Sequence, residues 1–407
     1  MARIVQKFGG TSVGDLVRIK NVAQRVKSCV EAGNEVAVVV SAMAGTTNQL
    51  VEWARQVGPI HDAREYDVIV STGEQVTVGL LSIALKNLGV DARSWLGWQI
   101  PLKTDEVHGA ARIEEIQAGD IIKRLEQGQV AVVAGFQGVA SDKRISTLGR
   151  GGSDTSAVAL AAAIQADRCD IYTDVDGVYT TDPRIMPKAR KLDSITFEEM
   201  LEMASAGAKV LQTRSVAMAM RHHVNLQVRS SFTDVPGTLV QNEEKQMEKQ
   251  KVSGIAYSAE EAKVTVVGLP DKPGIAARIF SVLADLHINV DMIVQSASAD
   301  FQKTDITFSL SRVDVKKAVS ELKKLKDELV FERLVHDDNI AKISVIGTAM
   351  RTQSGIAKLM FEVLSEKQIN MQVISTSEIK ISVLIQADYT ELAVRSLHDA
   401  FELDKIG

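Results

Sequence analysis

Glu35-Val36-Ala37-Val38-Val39-Val40-Ser41 is the stretch that decides the fold class of the first part of this chain. Its apolar residues run on without polar alternation, so both faces of the strand they predict must be covered. Upstream, Arg3 to Phe8 reads as a strand, and Asp15 to Gly33 as a helix with Leu16, Ile19, Val22, Ala23 and Val26 on one face. Downstream, Asn48 to Val57 reads as a helix. Gln129 to Phe136 (QVAVVAGF) and Cys169 to Thr173 repeat the continuous apolar strand. Covered strands alternating with helices predict an α/β domain whose parallel, doubly wound sheet carries helices on both faces.

The chain is 407 residues long, which predicts two or three domains. Its net charge of −5 argues against a protein built mainly to hold nucleic acid or an anionic membrane. Cys29 and Cys169 form no CxxC pair, so neither a disulfide framework nor a cysteine-rich zinc site is expected. No apolar signal core opens the sequence. The longest purely apolar run, Ala157 to Ile164, is far shorter than a membrane span, so a cytoplasmic location is expected.

After the turn signal Val235-Pro236-Gly237 the composition changes. Gln241 to Lys251 is polar and charged, with Met247 its one apolar residue, and reads as a solvated linker or exposed helix. Beyond it lies an internal repeat. Val264 to Gly268 (VTVVG) matches Ile343 to Gly347 (ISVIG), Gly274-Ile275-Ala276 matches Gly355-Ile356-Ala357, and Ile288-Asn289 matches Ile369-Asn370. Further strands are read at Thr304 to Ser309 and Glu378 to Ile385, and closing helices at Val315 to Leu325 and Thr390 to Phe401. Two βαββαβ copies suit a regulatory or binding module, since catalysis seldom needs the same site twice.

Chemistry-bearing residues gather where predicted strands give way to helices, the usual place for ligands in such sheets. Lys7-Phe8-Gly9-Gly10-Thr11-Ser12 offers two glycines, through which backbone N–H groups can approach an anion, beside a lysine. It lacks the spacing of a Walker loop. Arg150-Gly151-Gly152-Ser153-Asp154-Thr155-Ser156 opens an alanine-rich helix. Capping by Ser153, Asp154 or Thr155 would account for one of these residues but not for the set. Thr173 to Arg184 (TDVDGVYTTDPR) has calcium-loop spacing in its middle but Tyr172 and Pro183 at the end ligand positions, so a polar loop is expected instead. Ser41 to Thr47 and Ser71-Thr72-Gly73-Glu74-Gln75 read as further strand-to-helix junctions. Thr196 and Glu199 form a capping-box pair ahead of Lys209. His222-His223 lacks the spacing of a zinc helix and is read as structural.

Jointly, KFGGTSV (7–13), SAMAGTTNQL (41–50), STGEQ (71–75), GRGGSDTSA (149–157), TDVDGVYTTDPR (173–184) and GAKVL (207–211) resemble the monofunctional aspartokinases. The repeat, with DKPG at 271–274 and NMQVISTSEIKISVLI at 370–385, resembles that family's paired ACT domains. The resemblance implies an amino-acid-kinase-type doubly wound sheet over residues 1–240, a linker and joining strand over 241–262, and ferredoxin-like ACT domains over 263–335 and 336–407. It also implies that the strand at Gly254 to Tyr257 joins the C-terminal copy. The implied reaction moves the γ-phosphoryl group of ATP, with Mg2+, to the side-chain carboxylate of L-aspartate, giving 4-phospho-L-aspartate on the way to lysine, threonine, methionine and isoleucine. Carried over residue by residue, Lys7, Asp154 and Lys209 would be catalytic. Lys7, Phe8, Gly9, Gly10, Ser41, Thr173, Asp174, Tyr179 and Arg184 would line the ATP side. Thr47, Glu74, Arg150, Gly151, Gly152 and Ser153 would hold aspartate, Glu74 through the ammonium and Arg150 through a carboxylate. Asp271, Gly274, Ile275, Ala276, Gln295, Asn370 and Met371 would line a pocket for lysine, threonine or both. No dedicated protein metal ligands are expected, because Mg2+ would arrive with ATP. A homo-oligomer is implied as well, and in some members a separate regulatory subunit started internally, for which Met247 is a candidate.

Overall fold

The computed structural model describes residues 1–58, 62–242, 252–297, 303–351 and 355–405. The chain divides into two compact units, the first comprising 1–178, 191–204 and 209–245 and the second 179–190, 205–208 and 246–407. Gln241 and Asn242 are described. The rest of the charged linker, with Met247, lies outside the described residues.

The first unit runs β1 (Arg3–Phe8), α1 (Leu16–Glu31), β2 (Glu35–Val40), α2 (Thr46–Val57), α3 (Ala63–Val70), α4 (Thr72–Asn87), β3 (Ala92–Trp95), β4 (Leu102–Thr104), β5 (Ile113–Ile116), α5 (Gly119–Glu126), β6 (Val130–Ala134), β7 (Gln137–Val139), β8 (Ile145–Thr147), α6 (Gly152–Ala163), β9 (Arg168–Thr173), β10 (Ser194–Thr196), α7 (Phe197–Ser205), α8 (Thr213–His222), β11 (Leu226–Ser230) and β12 (Thr238–Gln241). Its main sheet has the order β10-β12-β11-β9-β1-β2-β6-β3. The neighbours β9, β1, β2, β6 and β3 are all parallel, and β12 turns antiparallel against β11. The continuous apolar run becomes β2, with Val36, Val38 and Val40 in one core cluster with α1 and α4. Ala37 and Val39 are equally buried on the opposite face, the side that α6 contacts. On α1, Ile19, Val22, Ala23 and Val26 are buried as expected. Leu16 is exposed, because it begins the helix beside its N-cap Asp15.

Two local readings change. Residues 63–70 form a helix, so Glu74 stands at a helix-to-helix junction, not after a strand. The N-cap of α6 is Gly151, in the left-handed conformation at φ 70°, and Ser153, Asp154 and Thr155 lie inside the helix. The Thr196–Glu199 capping box forms reciprocally: the Glu199 N–H donates to Thr196 Oγ1, and the Thr196 N–H to Glu199 Oε2. A second, small sheet (β5-β4-β7-β8) stands beside the main one. The helical run Ala63–Asn87 is long and apolar enough to cross a membrane by length and composition, and half of it is buried in the structure.

The second unit contains β13 (Gly254–Pro270), α9 (Ile275–Asp285), β14 (Val290–Ala297), β15 (Lys303–Ser311), α10 (Val315–Lys324), α11 (Lys326–Leu329), β16 (Arg333–Ile346), α12 (Ile356–Glu366), β17 (Val373–Thr376), β18 (Lys380–Gln386) and α13 (Thr390–Ala400). Its strands make one sheet, β14-β15-β13-β16-β18-β17. The two longest strands, β13 and β16, join the repeats. Gly254 to Ser258 pairs with Ile346 to Lys342 in the second copy, and Val264 to Val266 continues into the first, across register shifts at 258–263. Each copy has its own apolar core: Val264, Ile279, Leu283 and Phe308 in one, Ile343, Met360, Leu364 and Val383 in the other. The matched glycines Gly274 and Gly355 are the N-caps of α9 and α12, at φ 95° and 100°.

Candidate active site

At the carboxyl ends of β1, β2 and β6, the first unit opens into a cavity of about 400 Å3. Lys7, Gly10, Ser41, Thr47, Glu74, Gly151, Gly152, Ser153 and Asp154 all line it. Parallel strands deliver their C-terminal loops to one edge, which is why residues so far apart in sequence meet there. The close approaches explain the glycines. A Cβ on Gly10 would stand 3.0 Å from the Ala42 carbonyl, one on Gly73 2.6 Å from the Ala42 side chain, and one on Gly151 2.2 Å from Gln212.

Lys7 is the penultimate residue of β1, and its Nζ lies 2.5 Å from Asp154 Oδ1 in the first turn of α6. Both side chains are about nine-tenths buried, so this pair is far less screened than a surface ion pair. Glu74, in the first turn of α4, is 3 % exposed. Its Oε1 accepts the Ala42 N–H at 3.0 Å, while its Oε2 is buried without a partner among the described residues. Burial pushes its carboxyl up to about 7, against the pull of the Ala42 N–H. A half-satisfied carboxylate facing a cavity is a ready receptor for a cationic group.

The other expected residues are placed differently. Phe8 is fully buried and stacks on Tyr172, 4.6 Å between ring centres, so its side chain belongs to the core. The Gly9 N–H donates to the Tyr172 carbonyl, and a Cβ at Gly9 would crowd Lys7 Nζ at 3.3 Å. Arg150 is exposed, between the lining residues Gly149 and Gly151. Thr173 ends β9 and donates to the exposed Asp174 at 3.0 Å. Lys209 is exposed in the turn between α7 and α8. Tyr179 and Arg184 fall in the second unit, where Arg184 pairs with Asp182, and Asp182 accepts the Tyr257 hydroxyl. None of these last five residues lines the cavity. Sequence reading missed Asn48, Phe136 and Gln212, which do. Phe136 holds φ at 68°, a backbone state costing a non-glycine residue on the order of 1–2 kcal/mol. Its N–H donates to Ser156 and its carbonyl accepts from Leu148, which holds it there.

In the second unit, Gly274 caps α9, while Ile275 and Ala276 pack against the first copy's core. Asp271 and Gln295 are exposed. Asn370 is exposed in the second copy, and Met371 packs against that copy's core.

A doubly wound sheet with a buried lysine–aspartate pair at its glycine-lined edge defines a kinase of the amino acid kinase type, and residues 2–230 match the model of the amino acid kinase family. Residues 264–325 and 343–401 match the ACT domain. An aspartate kinase of Pseudomonas putida is 53% identical over 99% of this chain and 98% of its own. The solved structure of E. coli aspartokinase III with aspartate and ADP (R-state) superposes with a TM-score of 0.81 at 27% identity, covering 98% of this chain and 99% of that one. The same enzyme with lysine and aspartate (T-state) gives 0.77 at 28%, covering 98% and 99%. The chain belongs to the amino acid kinase family and, within it, to the aspartokinases that carry C-terminal ACT domains.

Proposed function

We propose that the cavity binds L-aspartate beside Mg-ATP and passes the γ-phosphoryl group to the aspartate side-chain carboxylate. The observation that carries this is the meeting, in one cavity, of a buried Lys7–Asp154 pair and a half-satisfied buried Glu74. The acceptor is a carboxylate, ionised at neutral pH, so no strong general base is needed. The demand is in-line positioning and neutralisation of charge. Glu74 takes the substrate ammonium and Arg150 a carboxylate, while Thr47 and Ser153 donate hydroxyls. Gly151 and Gly152 let the substrate approach the backbone. Lys7 meets the transferring phosphoryl, Asp154 orients Lys7, and Lys209 adds positive charge. Gly9 and Gly10 accommodate phosphates, and Ser41, Thr173, Asp174, Tyr179 and Arg184 serve the nucleotide.

Mg2+ fits this donor set. Asp154 lines the cavity, where it could serve as a carboxylate ligand, and Mg2+ is commonly held by one or two carboxylates plus substrate phosphates. When bound it supplies charge neutralisation at the phosphates. The E. coli complexes with aspartate and ADP and with lysine support the reaction and a response to lysine, and the ACT domains are the proposed receptor for lysine, threonine or both. The regulatory pocket is assigned to Asp271, Gly274, Ile275, Ala276, Gln295, Asn370 and Met371, within a homo-oligomer in the cytoplasm. The product enters the route to lysine, threonine, methionine and isoleucine.

The test is ATP- and Mg2+-dependent trapping of acyl phosphate as hydroxamate, with aspartate against glutamate, alone and with lysine, threonine or both. Aspartate-specific product that falls with an effector supports the whole reading. Product that no effector reduces removes the regulatory assignment, and absence of product removes the reaction.

A further inference from the structure

Asp67, on α3, is fully buried, and it lies outside the cavity lining. A carboxylate in that position costs several kcal/mol unless its oxygens are well satisfied. Among the described residues its donors come from two segments. Thr147, the last residue of β8, gives its hydroxyl at 2.5 Å and its N–H at 3.1 Å. The Gly109 N–H reaches both oxygens, at 3.1 and 3.2 Å, and His108 Nδ1 donates to Oδ2 at 2.7 Å.

The same two segments are fastened to each other. The Ala111 N–H donates to the Thr147 carbonyl at 2.9 Å. Arg214 spans them from α8, giving one guanidinium nitrogen to the Leu148 carbonyl at 2.8 Å and the other to the Ala111 carbonyl at 2.7 Å. A Cβ on Gly149 would stand 3.1 Å from the Gly109 carbonyl, so the two backbones lie against each other up to the cavity wall. From Thr147 the chain needs only Leu148 to reach Gly149, the first lining residue of the 149–151 turn that leads into α6, and Arg150 follows directly.

We propose that Asp67 is a positioning residue for aspartate binding: by gathering Thr147, Gly109 and His108 it fixes the point from which the Gly149-Arg150-Gly151 loop enters the cavity. A structural anchor could be apolar here at less cost. A buried charge with four donors instead fixes two backbones in register, and a misplacement of about 1 Å at a binding group can cost roughly 100-fold in rate. The inference rests on the assignment of Arg150 to an aspartate carboxylate.

The test uses the full chain. Asp67→Asn keeps the shape but turns an NH2 group towards at least two donors whichever oxygen it replaces, and Thr147→Val removes one donor while leaving the carboxylate. The expected result is a KM for aspartate raised about tenfold or more in Asp67→Asn and by a smaller factor in Thr147→Val, with the KM for ATP changed less than twofold. If Asp67→Asn does not fold, Thr147→Val carries the test alone. A lower unfolding temperature with both KM values unchanged would overturn the proposal, as would an equal rise in both. Arg150→Ala, run in parallel, separates the levels. An unchanged KM for aspartate there overturns the Arg150 assignment and the inference with it. A raised KM in Arg150→Ala but not in the Asp67 and Thr147 variants overturns the inference alone.

Discussion

The two sides of the candidate site are built in opposite ways. The side proposed for aspartate is dry: Glu74 is 3 % exposed and Ser153 8 %, and glycines at 73 and 151 let backbone and side chains close in. Of the residues proposed for the nucleotide, Asp174 in the first unit and Arg184 in the second are each exposed, as is Lys209, proposed as added positive charge. An ion pair through a solvated guanidinium such as Arg184, 86 % exposed, contributes on the order of 0–1 kcal/mol, whereas a desolvated charge facing a ligand is worth several times more. Discrimination of the small substrate is therefore expected from a few buried groups, and nucleotide affinity from many weak ones.

The strongest challenge to that contrast is Lys7, the buried cation assigned to the transferring phosphoryl. Lys7→Ala is expected to lower kcat by roughly 10²- to 10³-fold with an unchanged circular dichroism spectrum. Full activity in that variant would remove Lys7 from the chemistry. Next comes Glu74→Gln, expected to raise KM for aspartate roughly 10- to 100-fold and to leave that for ATP nearly unchanged. The same substitution bears on stability. With its folded-state carboxyl near 7 and its ordinary value 4.5, Glu74 favours the fold fully below 4.5 and loses that contribution as pH rises through about 7. Above pH 7 the ionised group costs up to about 3 kcal/mol, so Glu74→Gln should unfold at a higher temperature than the wild type at pH 8, with the gap closing towards pH 4.5. Equal melting temperatures at pH 8 would contradict the buried, half-satisfied carboxylate.

A smaller effect compares glycines across the two units. Gly151 and Gly274 both cap helices at positive φ, but a Cβ meets Gln212 at the first and nothing within 4 Å at the second. Ala at either site costs about 1–2 kcal/mol from backbone strain. Thermal unfolding should show Gly151→Ala to be the more destabilising of the two, and the assay should show that it alone raises KM for aspartate. The smallest effect is expected for Arg184→Gln, at most about fivefold on KM for ATP, since its charge is solvated. A hundredfold loss there would break the contrast between the two sides.

Much of this was legible in sequence where one physical cause acted alone. Apolar runs gave β2 and β6, because covered strands need no alternation, and β1 and β9 were read as strands as well. The repeat gave the paired positions of Gly274 and Gly355. Residues 63–70 were hidden: their apolar tail, Val68-Ile69-Val70, suits a strand, yet Asp62 caps a helix by accepting from the Arg64 N–H. The small sheet was hidden too, its strands being only three or four residues long. Phe136 carries no sequence signal for positive φ, which its partners impose. Asp67 read as an ordinary polar residue because its donors lie 41 to 80 positions away.

The most direct test of the buried aspartate side is kcat/KM for aspartate against pH in wild type and Glu74→Gln. An ammonium ligand needs the ionised carboxylate, so the wild-type value should fall as pH drops through about 7, approaching tenfold per unit, and the limb should vanish in the variant. A wild-type profile flat from pH 8 to 6, or the same fall in both proteins, would contradict it.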